Sequence, residues 1–122
     1  MNTALPTRPS FTEQLQTTKS YMGKLGAAQP ATMGAFSRLH QAAVAPGALD
    51  TKTKELIALA IGVAARCDGC IAFHTHDVLE AGASEAEVLD ALGVAILMGG
   101  GPSVMYATHV LEAMEDFKAS RQ

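Results

Sequence analysis

The chain has 122 residues, which one hydrophobic core can serve without division into domains. Hydrophobic residues make up 48% of it and aromatics only 5%, so the interior must be built from Ala, Val, Leu, Ile and Met, a recipe that favours closely packed helices. The net charge of −3 comes from 9 basic and 12 acidic residues spread along the chain, with no Lys/Arg cluster to neutralise several phosphates, which argues against nucleic acid as a partner.

The start, MNTALPTRPSFTEQL, has neither the basic beginning nor the apolar stretch of a signal peptide. No apolar run approaches the ~20 residues that a membrane helix needs, so the expectation is a cytoplasmic protein with no membrane contact. Ser10-Phe11-Thr12-Glu13 has the pattern of a capping box and opens a first helix over about Phe11–Met22. Gly23, Gly26 and Pro30 then interrupt, and Met33, Phe36 and Leu39 recur at helical spacing to about Ala43. Ala45-Pro46-Gly47 ends that second helix.

Asp50 or Thr51 caps a third helix over Lys52 to about Arg66, whose Leu56, Ile57, Leu59, Ala60, Ile61, Val63 and Ala64 cover nearly its whole circumference. Such a helix is expected to be buried all round. A fourth helix runs from Cys67 to about Ala81 and closes at Gly82, and Ser84-Glu85-Ala86-Glu87 is a second capping box opening a fifth through Ile96. Gly99-Gly100-Gly101-Pro102 reads as a break, after which Met105, Val110, Ala113, Met114 and Phe117 form the buried stripe of a last helix ending near Lys118.

No β-alternation occurs anywhere. The expected fold is therefore all-α: one domain, a bundle of about six helices, with an N-terminal helical segment over 1–47 and a core over 48–118. Two helices of almost unbroken apolar character are more than a chain of this size covers alone, so assembly of identical subunits through them is expected.

The chain holds two cysteines, Cys67 and Cys70, three positions apart. That is not the widely spaced framework of a secreted disulfide scaffold, and in a reducing compartment it points to redox chemistry or metal. The pair lies where one helix ends and the next begins, a position that favours the thiolate. His74, one helical turn beyond Cys70, falls on the same face, and a thiol beside a base is an activated nucleophile. Glu55, among Leu56, Ile57, Leu59 and Ile61 on the preceding helix, is costly to bury as an anion unless His74 compensates it. From patterning alone Glu55 fits an exposed place near a helix start equally well, and a lone helical histidine is more often a core or interface residue.

Glu55, eleven residues, Cys67-x-x-Cys70, three residues and His74 reproduce a known pattern. The segment Ala48–Gly82 resembles the alkylhydroperoxidase D-like branch of the carboxymuconolactone decarboxylase superfamily, and the resemblance extends to about Phe117. It implies an all-helical fold, trimers or hexamers, and a Glu–His proton relay to the second cysteine. Carried over, Glu55 and His74 deprotonate Cys70, which attacks a hydroperoxide; the sulfenic acid condenses with Cys67, and a dithiol such as a lipoyl group or a thioredoxin-like protein restores the pair. The implied activity is that of an antioxidant thiol peroxidase or disulfide oxidoreductase without cofactor. His76 matches a histidine often seen just beyond the motif, with at most a supporting role. Asp68 beside Cys67 departs from the best known member and opposes thiolate formation. The chain also lacks that member's extra helical half. Arg38, His40 and the Gly99–Pro102 loop are further candidates to line the pocket.

Three other readings compete. Zinc binding by Cys67, Cys70, His74 and His76 requires two diverging histidines to converge, or His40 or His109 to join them. The superfamily's decarboxylases need no cysteine pair. A non-catalytic role leaves the retained motif without a purpose.

Overall fold

A computed structural model describes residues 8–121 and contains six helices: α1 (Phe11–Ala28), α2 (Pro30–Val44), α3 (Thr51–Ala64), α4 (Asp68–Glu80), α5 (Glu85–Gly99) and α6 (Gly101–Ala119). Among these residues there is no strand, and no helix is long and apolar enough to cross a membrane. Residues 1–7, the start of the stretch read as lacking a signal-peptide pattern, lie outside the described residues.

Helices α1, α3 and α5 begin where a side chain supplies a partner for a free N–H group. The Ser10 hydroxyl accepts from the Glu13 N–H, Asp50 accepts from the Thr53 N–H at 2.8 Å, and Ser84 and Glu87 close a reciprocal capping box. α2 and α6 instead carry proline in their first turn, where no N–H is required. Gly82, at φ 90°, ends α4 with Ala83 N–H donating to the Val78 carbonyl, and Gly100, at φ 68°, separates α5 from α6. α3 ends with the same hydrogen-bond pattern as α4. Arg66 adopts φ 57° so that the Cys67 N–H returns to the Gly62 carbonyl at 3.0 Å, and α4 starts one residue later.

α3 and α4 form the most extensive helix pair, with α5 against α3 and α6 spanning α4 and α5. Leu59, Val63, Ile71, Val78, Val88, Val110, Met114 and Phe117 fill the space between them. α1 lies across α4 and α6, burying Phe11 and Leu15, and its start is tied to α6 by the Phe11 N–H donating to Asp116 Oδ2 at 2.8 Å. α2 contributes no buried residue; the Thr51 hydroxyl and Lys54 fasten its end by donating to the Val44 and Ala45 carbonyls.

Three expectations from the pattern are revised. α1 continues through Gly23 and Gly26 to Ala28, because a helical glycine costs only about 1 kcal/mol and neither position meets an obstacle. The break near Gly99 shrinks to Gly100 alone. α3 is not buried all round within one chain: Ile57 and Ile61 are 45% and 63% exposed, and Met105 of the α6 stripe is 60% exposed.

Candidate active site

One face of α3, at Glu55, Leu59 and Gly62, lies against α4. A Cβ at Gly62 would sit 3.0 Å from that of Cys70, so the missing side chain is what lets the α3 backbone approach this cysteine. Two turns earlier on the same face, Glu55 is only 3% exposed and its Oε2 lies 2.7 Å from His74 Nδ1. A carboxylate there can only accept, so Nδ1 carries the hydrogen and His74 Nε2 keeps a lone pair free to take a proton. The pairing also compensates the buried anion.

Cys67 and Cys70 are joined as a disulfide with Cα atoms 5.2 Å apart, a separation that needs no backbone movement to bridge. Their surroundings differ. Cys67 is the N-cap of α4 and its Sγ accepts the Cys70 N–H at 3.1 Å, so the positive end of the helix acts on this sulfur. Cys70 lies one turn before His74 and has the histidine's base as its neighbour.

A cavity of about 370 Å³ is bordered by both cysteines. Its walls are Met22 and Thr18 of α1, Met33, Phe36, Ser37 and His40 of α2, and Gly69, Phe73 and His74 of α4. The lining is predominantly apolar, with the cysteines, the two histidines, Thr18 and Ser37 as its polar residues. Of the residues named in advance as candidate lining, His40 takes its place, its ring 6.2 Å from that of His74, while Arg38 and the Gly99–Pro102 loop do not border this cavity.

Asp68 and His76 find other roles. The Asp68 carboxylate receives a 2.6 Å hydrogen bond from His109 Nδ1 of α6, a ring held against Tyr106 and Phe11. The acid beside Cys67 is thereby engaged by a partner 41 positions away, which spacing gives no sign of. His76 points to the opposite side of α4, bonded to Asp77 at 3.0 Å and edge-on to Phe117. Because His74 and His76 diverge, the two cysteines and these histidines do not converge as a four-ligand metal site. A different mixed set does come together, at His40, Glu55 and Asp77.

The profile of the carboxymuconolactone decarboxylase family matches residues 30–113. The chain belongs to that family. An uncharacterised protein from Cupriavidus necator is 42% identical over 97 residues, spanning 80% of this chain and 86% of its own. A family protein from Legionella pneumophila, solved in its apo form, superposes with a TM-score of 0.85 at 47% identity over 88% of this chain and 96% of that one. Another family member, from Thermotoga maritima, has been suggested to take part in the antioxidative response; it gives a TM-score of 0.80 at 27% identity, covering 88% and 92% of the two chains. The six-helix all-α fold and the resemblance to an alkylhydroperoxidase D-like member of this superfamily agree with these findings.

Proposed function

We propose that this family member is a thiol-dependent peroxidase that reduces organic hydroperoxides through Cys70 and Cys67. The observation that carries the reading is the Glu55–His74 pair, at 2.7 Å, whose histidine borders one apolar cavity together with the two cysteines while the glutamate is buried behind it. In the reduced protein His74 Nε2, directly or through a water, takes the Cys70 proton while Glu55 stabilises the imidazolium. The Cys70 thiolate attacks one peroxide oxygen and the O–O bond breaks. The other oxygen leaves as alkoxide and takes the proton from His74 as an alcohol, leaving sulfenic acid on Cys70. The Cys67 thiolate, favoured by its N-cap position, then attacks the Cys70 sulfur; hydroxide departs as water and the disulfide forms. An external dithiol of the lipoyl or thioredoxin class reduces it by exchange. Met22, Met33, Phe36 and Phe73 suit the organic part of an alkyl hydroperoxide.

We also infer a homo-oligomer, with the trimer or hexamer expected from the resemblance. Leu97 and Met98 of α5 are 79% and 78% exposed, Ile61 and Met105 are nearly as open, and the ends of their helices meet where Gly99 approaches Ala64 and Ser103.

The decisive experiment mixes reduced, metal-free protein with stoichiometric cumene hydroperoxide and follows thiols, peroxide and the Cys67–Cys70 disulfide by mass spectrometry. Two thiols lost per peroxide, abolition in Cys70→Ser and a dimedone-reactive sulfenic acid in Cys67→Ser are expected. Equal activity of the two variants, or a rate no greater than that of a free thiol, overturns the reading.

A further inference from the structure

The mechanism above uses one oxygen of Glu55 and leaves a cluster on its far side unexplained. His40 of α2, Glu55 of α3 and Asp77 of α4 each place a ligand atom within 4.8 Å of the other two. Two carboxylates so close repel each other, and one of them is only 3% exposed, where an uncompensated charge is most costly. Among the described residues no lysine or arginine forms a salt bridge with either; histidines alone face them, His74 on Glu55 and His76 on Asp77. The cluster is an arrangement of donors in search of positive charge.

One imidazole nitrogen and two carboxylate oxygens from three separate helices match the ligand preferences of a borderline divalent cation. Around zinc, with bonds of about 2.0–2.2 Å, tetrahedral ligand atoms stand roughly 3.4 Å apart, so closing from at most 4.8 Å takes side-chain adjustments of about 1 Å. The Glu55–His74 hydrogen bond occupies Oε2 and would hold a ligating carboxylate in place, as outer hydrogen bonds commonly do around bound metals. A cation here would also tie α2, which has no buried side chain, to the two central helices.

We propose that His40, Glu55 and Asp77 bind a divalent transition-metal cation of the zinc class, with water completing the coordination. Binding at these three side chains is independent of the thiol chemistry, so it stands or falls apart from the peroxidase reading.

The test uses the full chain in its disulfide form, in which neither sulfur offers a thiolate to metal, titrated with zinc chloride by calorimetry. One zinc per chain is expected, bound at least ten-fold more weakly by both His40→Gln and Asp77→Asn, with His109→Gln unchanged. His40 is exposed and Asp77 only half-buried, so both variants should retain the wild-type circular dichroism spectrum. No binding by the wild type, or undiminished binding by both variants, overturns the site.

Discussion

Gly62 of α3 and Thr75 of α4 show how much depends on single positions. Replacing Gly62 with alanine puts a methyl group 3.0 Å from the Cys70 Cβ, so the two helices must part by a few tenths of an ångström. Alanine's better helix propensity, worth about 1 kcal/mol, offsets much of that strain. Gly62→Ala is therefore expected to leave the melting temperature nearly unchanged while slowing peroxide-dependent thiol oxidation by about tenfold, since proton transfer depends on position. Stopped-flow rates equal to those of the wild type would show that Cys70 tolerates the displacement. Thr75 presents the opposite case: it is fully buried and, among the described residues, its Oγ1 has no hydrogen-bond partner. Thr75→Val keeps the shape and removes the unpaired hydroxyl, so urea denaturation should show a gain of about 1 kcal/mol. A loss of stability would reveal a partner for the hydroxyl.

The helices are fixed at their ends by short-range chemistry that responds to pH. Hydrogen bonds from Thr53, through its side chain and then its backbone N–H, hold the Asp50 carboxyl below its ordinary 3.8. A lowered carboxylate contributes stability that is present above its unfolded value and lost as pH falls through the folded one. The melting-temperature advantage of the wild type over Asp50→Asn, small because the site is exposed, should accordingly disappear as the solution is taken below 3.8. An advantage unchanged from neutral pH into that range would remove the charge from the account. These caps were readable because each is a local event: Ser10, Asp50 and Ser84 act within three residues of themselves. Gly23 and Gly26 misled because glycine lowers helix propensity without forbidding the conformation, whereas Gly100 has the positive φ that does end a helix. The candidate site was legible where its spacing is helical, at Cys70 and His74. Met22, Met33, Phe36 and Phe73 carry no motif and meet only through the packing of three helices, and Asp77, seven positions beyond Cys70 on the same stripe, becomes informative only once His40 and Glu55 lie beside it.

At the scale of the molecule, the exposed apolar ends of α3, α5 and α6 bear on assembly. Light scattering coupled to size exclusion should give three or six times the 12.7 kDa chain mass, and Met98→Glu should lower it by setting a charge into the contact. A monomeric wild type would mean that this surface faces solvent. The bundle also divides unequally: α3 to α6, with the start of α1, enclose the core, while α2 forms one wall of the candidate cavity without burying a side chain. Segments with so little buried surface open at a small fraction of the global unfolding free energy. Amide exchange in α2 is thus expected to run ahead of that in the core, with the chamber widening for a bulky guest and narrowing again while Glu55, His74 and the cysteines stay in register. Traffic and chemistry then run on separate clocks, one set by a loosely seated wall and the other by a rigid pair of helices.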